Sequence, residues 1–296
     1  MKYACVLWPV TMICALAACG TQPARFAATA PRPDEPAAAN DDAAHAEVSG
    51  AAEPAVRARL DSSVMALNPG RRFLLATRFD IPEGYWVSWV NPGDVGNKPV
   101  IEFKAPDGFE LGALMFPGPR KFTLPNGAVG YGYDKDTAVF VEVRAPEALS
   151  SRQSYRFELD ATWFSCKKGC SKDNVQAYFE LEATGAPVQD SLDASMRAAL
   201  ETVPRPLESL EAARTEWRNH GVLAVHAKNV TWKDFYPSRP ERPSLRKLSV
   251  DGSTHDLVLE FDGGSPGAVV EGVALADVEG RLAYVSISAP WPSQAN

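Results

Sequence analysis

Short apolar or alternating runs, each closed by turn residues, dominate the chain from Arg57 to about Pro187. The runs are Arg72 to Arg78, Tyr85 to Val90, Val100 to Phe103, Ala138 to Val143, Tyr155 to Thr162 and Val175 to Ala183. A period of two and a length of four to nine residues predict strands. Between them stand Asn68-Pro69-Gly70, Asn91-Pro92-Gly93-Asp94, Pro106-Asp107-Gly108 and Pro125-Asn126-Gly127, each joining a proline-fixed dihedral to a residue that accepts positive φ. Strands at this spacing with no interleaved helix predict an antiparallel sandwich rather than a βαβ fold. A helical pattern follows from Asp190 to about Thr202 and another from Leu207 to about Asn219, separated by Pro204-Arg205-Pro206. Strands resume at Val222 to Ala227, His255 to Phe261, Val269 to Leu275 and Arg281 to Ser288, enough for a second, smaller β domain.

The amino terminus follows a different pattern. Lys2 precedes an apolar run from Val6 to Ala18, the length of a signal-peptide h-region, which ends in Leu16-Ala17-Ala18-Cys19-Gly20. That ending resembles the bacterial lipobox, with Cys19 as the lipidated residue and Cys5 and Cys14 lost with the peptide. Ordinary secretion with cleavage after Ala18 is the alternative. Gly20 rather than Asp after the cysteine favours the outer membrane, facing the periplasm. From residue 20 to 56 the chain is rich in Ala and Pro and poor in large apolar groups, so a disordered spacer is expected. The expected organisation is therefore signal peptide 1–19, linker 20–56, β-sandwich 57–187, helical connector 188–220 and small β domain 221–296.

Composition narrows the function. The 296 residues are 45% hydrophobic with 30 Lys and Arg against 37 Asp and Glu, a net charge of -7, which gives no basic footprint for a nucleic-acid partner. No phosphate loop, Ser-His-Asp order or paired-carboxylate motif stands out, and no bound cofactor or metal is implied.

One constellation carries chemistry: Trp163-Phe164-Ser165-Cys166-Lys167-Lys168-Gly169-Cys170-Ser171. Along a straight strand the two cysteines would lie roughly 13 Å apart, whereas a disulfide needs α-carbons about 5.5 Å apart, so the chain must turn between them. A tight loop using the freedom of Gly169 and a helical turn both permit closure. A ring this small restrains little unfolded-chain entropy, which favours a working disulfide over a purely stabilising one. Lys167 and Lys168 set positive charge beside the thiols and favour thiolate, while Trp163 and Phe164 are candidates for an apolar lip. A fixed disulfide in an envelope interaction or assembly module is one alternative, and a Cu(I) carrier using the reduced pair is another.

Four landmarks in order carry a resemblance. They are Gly84-Tyr85-Trp86 running through Trp89-Val90-Asn91-Pro92-Gly93-Asp94-Val95-Gly96 to Pro99, then Phe116-Pro117-Gly118-Pro119-Arg120, then Tyr131-Gly132-Tyr133, then the cysteine segment itself. The stretch from about Leu67 to Ala183 is thereby similar to the amino-terminal periplasmic domain of the thiol:disulfide interchange protein DsbD and its relatives in copper-tolerance redox systems. The resemblance implies an immunoglobulin-like antiparallel β-sandwich, here followed by a helix pair and a second, smaller β domain. It also implies a protein thiol-disulfide oxidoreductase whose pair, Cys166 and Cys170, takes electrons from a membrane-embedded electron-transfer protein and passes them to exported thiol/disulfide proteins. Cys170 is then the residue expected to form the mixed disulfide with substrate. Tyr131 and Tyr133 become candidates for a wall around the pair, or simply core residues. The sequence departs from the family where Ser171-Lys172-Asp173 follows the second cysteine and where Phe116-Pro117 replaces Trp-Pro. Beyond the amino-terminal run there is no second long apolar stretch, so the expected electron donor is separately encoded.

Overall fold

The computed structural model describes residues 45–47, 55–184, 190–219, 221–239 and 242–293. The expected signal peptide with Cys19, and most of the expected linker, lie outside them. The first half carries β1 (His45–Glu47), β2 (Arg57–Ser62), β3 (Arg72–Asp80), β4 (Trp86–Gly93), β5 (Val100–Lys104), β6 (Glu110–Met115), β7 (Arg120–Thr123), β8 (Val129–Tyr133), β9 (Thr137–Arg144), β10 (Ser154–Cys166) and β11 (Cys170–Glu182). After it come α1 (Ala194–Glu201), β12 (Arg205–Pro206), a 3-10 turn at Leu207–Ser209, β13 (Arg214–Asn219), β14 (Val222–His226), β15 (Val230–Pro237), β16 (Ser244–Val250), β17 (Leu257–Asp262), β18 (Val269–Val278) and β19 (Arg281–Pro290).

The first half is two sheets face to face. One runs β1-β11-β10-β4-β8-β7, with β5 also on β10, and the other runs β2-β3-β9-β6. Alternation decides what lies between them: Phe157, Leu159, Ala161 and Trp163 of β10 point inward and meet Phe73, Leu75 and Phe79 of β3 and Val139, Val141 and Val143 of β9 in one buried cluster. Each such fully buried side chain contributes about 1.5–3 kcal/mol. Strand β9 reads as continuous apolar sequence because both of its faces are covered. Ala138 and Phe140, on its other face, pack with Ala76 against Met196 and Ala199 of α1.

The expected fold class requires correction: the fold is largely β, with one α-helix and no helix pair among the described residues, and the sheets form no closed barrel. Of the first expected helix, Ala194–Glu201 is helical, started by Asp193, whose carboxylate accepts from the Met196 amide at 2.8 Å. The second becomes a single 3-10 turn and then strand β13. Ala212 sits at φ 54, a left-handed conformation that breaks a helix after one turn. Beyond it Thr215 pairs with Val225 and Trp217 with Leu223 on β14. The Trp217 ring packs on Trp291 at 4.9 Å and its Nε1 donates to the Pro290 carbonyl at 3.0 Å. Leu207, Leu210 and Trp217 have spacings a helix would also accept, but ladder pairing and tertiary burial outweigh that weak local preference.

The second half holds two four-stranded sheets, β12-β19-β18-β15 and β13-β14-β17-β16, around a core that includes Leu223, Val225, Trp232, Phe235, Leu257, Leu259 and Ile287. The two halves meet where the sequence landmarks lie. Asn91 Nδ2 donates to the Pro237 carbonyl at 2.8 Å, Tyr284 donates its hydroxyl to the Pro119 carbonyl at 3.1 Å, and Tyr131 meets Tyr236 edge to face at 5.8 Å. Gly118 is demanded by close approach, since a Cβ there would overlap the Tyr284 ring.

Candidate functional site

Strands β10 and β11 form one long hairpin, and its last pair is Cys166 opposite Cys170. Directly opposite residues share a face and stand close enough for their sulfurs to bond. The two are joined as a disulfide, with α-carbons 4.0 Å apart. Of the two turn geometries open to the sequence, the strand hairpin is the one adopted, with a loop of Lys167, Lys168 and Gly169 that is closed by the Lys167 amide donating to the Gly169 carbonyl at 3.0 Å. Gly169 is outside the left-handed region, and a Cβ on it would meet nothing within 4 Å. The loop therefore tolerates a side chain there and leaves the flank of Cys170 open.

The two sulfurs have unequal surroundings. Cys166 has strands on both sides, because it also pairs with Trp86 of β4, and it is 2% exposed. Cys170 lies at the end of β11, where no strand of the described residues flanks it on the other side, and is exposed. Trp86 shares the face of Cys166 and is held flat by three neighbours. Its ring stacks on Phe122 at 5.2 Å, and it lies over Gly130 and Gly132, where a Cβ would come within 2.9 Å of the indole. Alternate glycines on β8 thus make room for the indole, whose own residue pairs beside Cys166 on β10.

The other expected site residues separate by face. Trp163 belongs to the inward face of β10, is 1% exposed and packs edge to face on Phe79 at 5.6 Å, so it supports the hairpin from the core side. Phe164 alternates to the outer face with Cys166. Tyr131 and Tyr133 occupy the face of β8 opposite to Gly130 and Gly132, and so opposite to Trp86 and the disulfide. Tyr133 is buried and donates its hydroxyl to the Pro117 carbonyl at 2.8 Å, and burial holds that phenol well above its ordinary range. Tyr131 faces the second half, its phenol raised by burial and then by the Asp234 and Asp94 charges. Lys167 and Lys168 are both exposed, with the Lys167 ammonium 4.8 Å above the Tyr85 ring.

Residues that the sequence did not single out complete the site. Ser165, buried beneath the last pair, donates to Asp173 at 2.8 Å and stands 3.2 Å from the Ser171 hydroxyl. This brace fixes the strands just inside the disulfide. Trp86 was named only as part of a family landmark and Phe122 not at all, although the Gly130 and Gly132 spacing is the kind of signal that marks a ring laid across a sheet. Among the described residues no group of three or more His, Cys, Asp or Glu side chains is arranged to hold a metal ion, and no helix is long and apolar enough to cross a membrane.

A largely β domain whose hairpin tip joins a buried Cys166 to an exposed Cys170 has a disulfide geometry consistent with thiol-disulfide chemistry. Residues 57–180 match the family described as thiol:disulfide interchange protein DsbD, N-terminal. The chain therefore carries a domain homologous to the DsbD amino-terminal family, with an adjacent cysteine pair consistent with redox chemistry. Among solved structures it is similar to the N-terminal periplasmic domain of ScsB from Proteus mirabilis, at 16% identity and a TM-score of 0.56, over 84% of this chain and 99% of that one. That likeness extends over both β halves and is one of fold. A second match, the periplasmic chaperone SfaE, has 8% identity and a TM-score of 0.21 over 77% of this chain and 97% of that one, a score that implies no shared fold. No curated protein matches the chain.

Proposed function

We propose that this protein is a cell-envelope thiol-disulfide oxidoreductase that passes electrons from a membrane redox partner to exported proteins through Cys166 and Cys170. The observation that carries the reading is the asymmetry of the pair, an open Cys170 beside a covered Cys166. A donor thiolate attacks the Cys170 sulfur, forming a mixed disulfide as the Cys166–Cys170 bond breaks and Cys166 leaves as thiolate. The donor's second thiolate then displaces Cys170, leaving the pair reduced and the donor oxidised. Towards substrate the order reverses: the Cys170 thiolate attacks a substrate disulfide, and Cys166 displaces the reduced substrate from the mixed disulfide. Lys167 and Lys168 favour the thiolates formed in both steps, and the burial of Cys166 limits attack on it by other thiols.

Location enters from two sides. The relative of known structure is a periplasmic domain, and the Leu16-Ala17-Ala18-Cys19-Gly20 run supports a lipid anchor at Cys19 in the outer membrane, with residues 20–56 as the tether. On this reading 57–187 is the redox domain, and 221–296, reached through 188–220, is a second β domain docked on it.

Titration of the mature protein against glutathione buffers, followed by mass-tagged alkylation of Cys166 and Cys170, tests the assignment. A shuttle gives a midpoint between about -120 and -270 mV, whereas a midpoint below about -300 mV marks a permanent bridge and overturns it.

A further inference from the structure

We propose that the hairpin tip selects an acidic partner: the cationic collar of Lys167, Lys168 and Lys172 around Cys170 fits a protein whose reacting sulfur is rimmed by Asp and Glu. The inference rests on the exchange reading of the same pair and names the partner's chemistry. Three lysines fall within six residues of chain, and all three are exposed. Lys172 lies two positions beyond Cys170 on β11, which puts it on the same face as the sulfur with its α-carbon roughly 7 Å away. Lys167 and Lys168 stand in the loop on the other side of it. None of the three forms an ion pair with any described carboxylate, and the contact made by the Lys167 ammonium is with the Tyr85 ring.

The nearest carboxylates are committed or unengaged. Asp173 accepts from Ser165, lies 3.5 Å from the Ser171 hydroxyl and alternates to the opposite face of the hairpin. Glu83, two residues before Tyr85, makes no ion pair with Lys167. Two lysines of the second half are paired, Lys228 with Glu211 at 2.6 Å and Lys247 with Glu260 at 3.0 Å; what distinguishes the hairpin tip is three unpaired lysines gathered within six residues around the cysteine. The net charge of the whole chain is -7, so a cluster of three unpaired cations stands against an acidic background. A collar of this kind raises the encounter rate with an acidic face and orients it with the reacting sulfur at the centre.

Small disulfides of different charge separate this proposal from the reading beneath it. The reduced full chain is mixed with oxidised glutathione, a dianion, with cystamine, a dication, and with neutral bis(2-hydroxyethyl) disulfide, each rate being normalised to that of free 2-mercaptoethanol. In each case the Cys170 thiolate attacks, one small thiolate leaves, Cys166 displaces the second, and the protein pair is oxidised as the small disulfide is reduced. The expected dianion-to-dication preference is about tenfold at about 20 mM ionic strength, shrinking to within about twofold at about 0.5 M. Charge reversal at K167E, K168E and K172E together slows all three reactions, because Lys167 and Lys168 also favour the thiolate, and inverts the dianion-to-dication ratio, which is read within the variant and so is independent of that common loss. A normalised ratio near one at low salt, or a ratio unmoved by the charge reversal, overturns the acidic-partner proposal while leaving exchange intact. Failure to react with all three, the neutral disulfide included, defeats the exchange reading and the proposal with it.

Discussion

Trp86 is the residue paired beside Cys166, and if its side chain shields that sulfur, truncation to alanine uncovers Cys166 and leaves Cys170 as it is. The indole is 9% exposed, stacked on Phe122 at 5.2 Å and seated on the backbone of Gly130 and Gly132. Loss of a buried tryptophan costs about 3–5 kcal/mol, and the lower figure applies here because part of the ring's contact surface is glycine backbone at the rim of a sheet. A loss of about 3 kcal/mol is roughly two decades in the folded-to-unfolded ratio, so urea unfolding must be measured alongside reactivity. The informative assay is the alkylation rate of each cysteine in the reduced protein, resolved by mass spectrometry of the two-cysteine peptide under conditions where the variant remains folded. In the natural sequence Cys170 reacts at least about tenfold faster than Cys166, and in Trp86→Ala the two rates converge. Trp86→Phe, which keeps a ring on Phe122, retains most of the difference. If Cys166 stays equally slow in the folded alanine variant, the β-ladder on both sides of it hides the sulfur, and the assignment of Trp86 as its cover is wrong.

Further outcomes follow from the same geometry. Cys166→Ser leaves the open Cys170 without its resolving partner and accumulates mixed disulfides visible on non-reducing gels, whereas Cys170→Ser accumulates few; the reverse pattern would exchange the two roles. Gly118→Ala drives a methyl into the Tyr284 ring and lowers stability by about 2 kcal/mol or more in urea unfolding, against about 1 kcal/mol for Tyr284→Phe, which loses the hydrogen bond to Pro119. Equal, small effects would show that the joint between the halves yields easily. At Asp256, burial pushes the carboxyl up, but the hydrogen bond from His226 at 2.7 Å and the Arg218 charge outweigh it and hold it below the usual range. A depressed carboxylate stabilises the fold above its unfolded pKa of about 3.9 and loses that contribution as pH falls through the folded value. The urea midpoint of the natural protein should therefore fall more steeply between about pH 5 and 3 than that of Asp256→Asn, and parallel profiles would refute the coupling.

Local information in the chain reached a long way. Alternation in Tyr155 to Thr162 and continuous apolar sequence in Ala138 to Val143 are imposed by one-sided and two-sided burial, so both strands were legible without coordinates. The cysteine spacing and the glycine and proline turns were legible for the same reason, since each rests on covalent geometry within a few residues. What failed was local pattern without a local cause. The segment from Leu207 to Asn219 has helix-compatible spacing, and only its pairing with β14 and the packing of Trp217 on Trp291 make it a strand. Strands β6, β7, β8, β15 and β16 were missed because several are short, exposed or interrupted by glycine, and their order comes from partners far along the chain.

The disulfide could be named from residues 163 to 171, because two cysteines four positions apart must turn to meet. Which sulfur is open could not. That depends on β4 pairing Trp86 beside Cys166 while no strand of the described residues flanks Cys170, a juxtaposition of segments eighty residues apart. Tertiary placement also decides against the wall role suggested for the tyrosines: adjacent to glycine in sequence, Tyr131 and Tyr133 are turned by the strand's alternation onto the face opposite the disulfide, where Tyr131 meets Tyr236 of the second half. Covalent neighbours set the chemistry available at the hairpin tip, and the ladder set which atoms water and partners can reach.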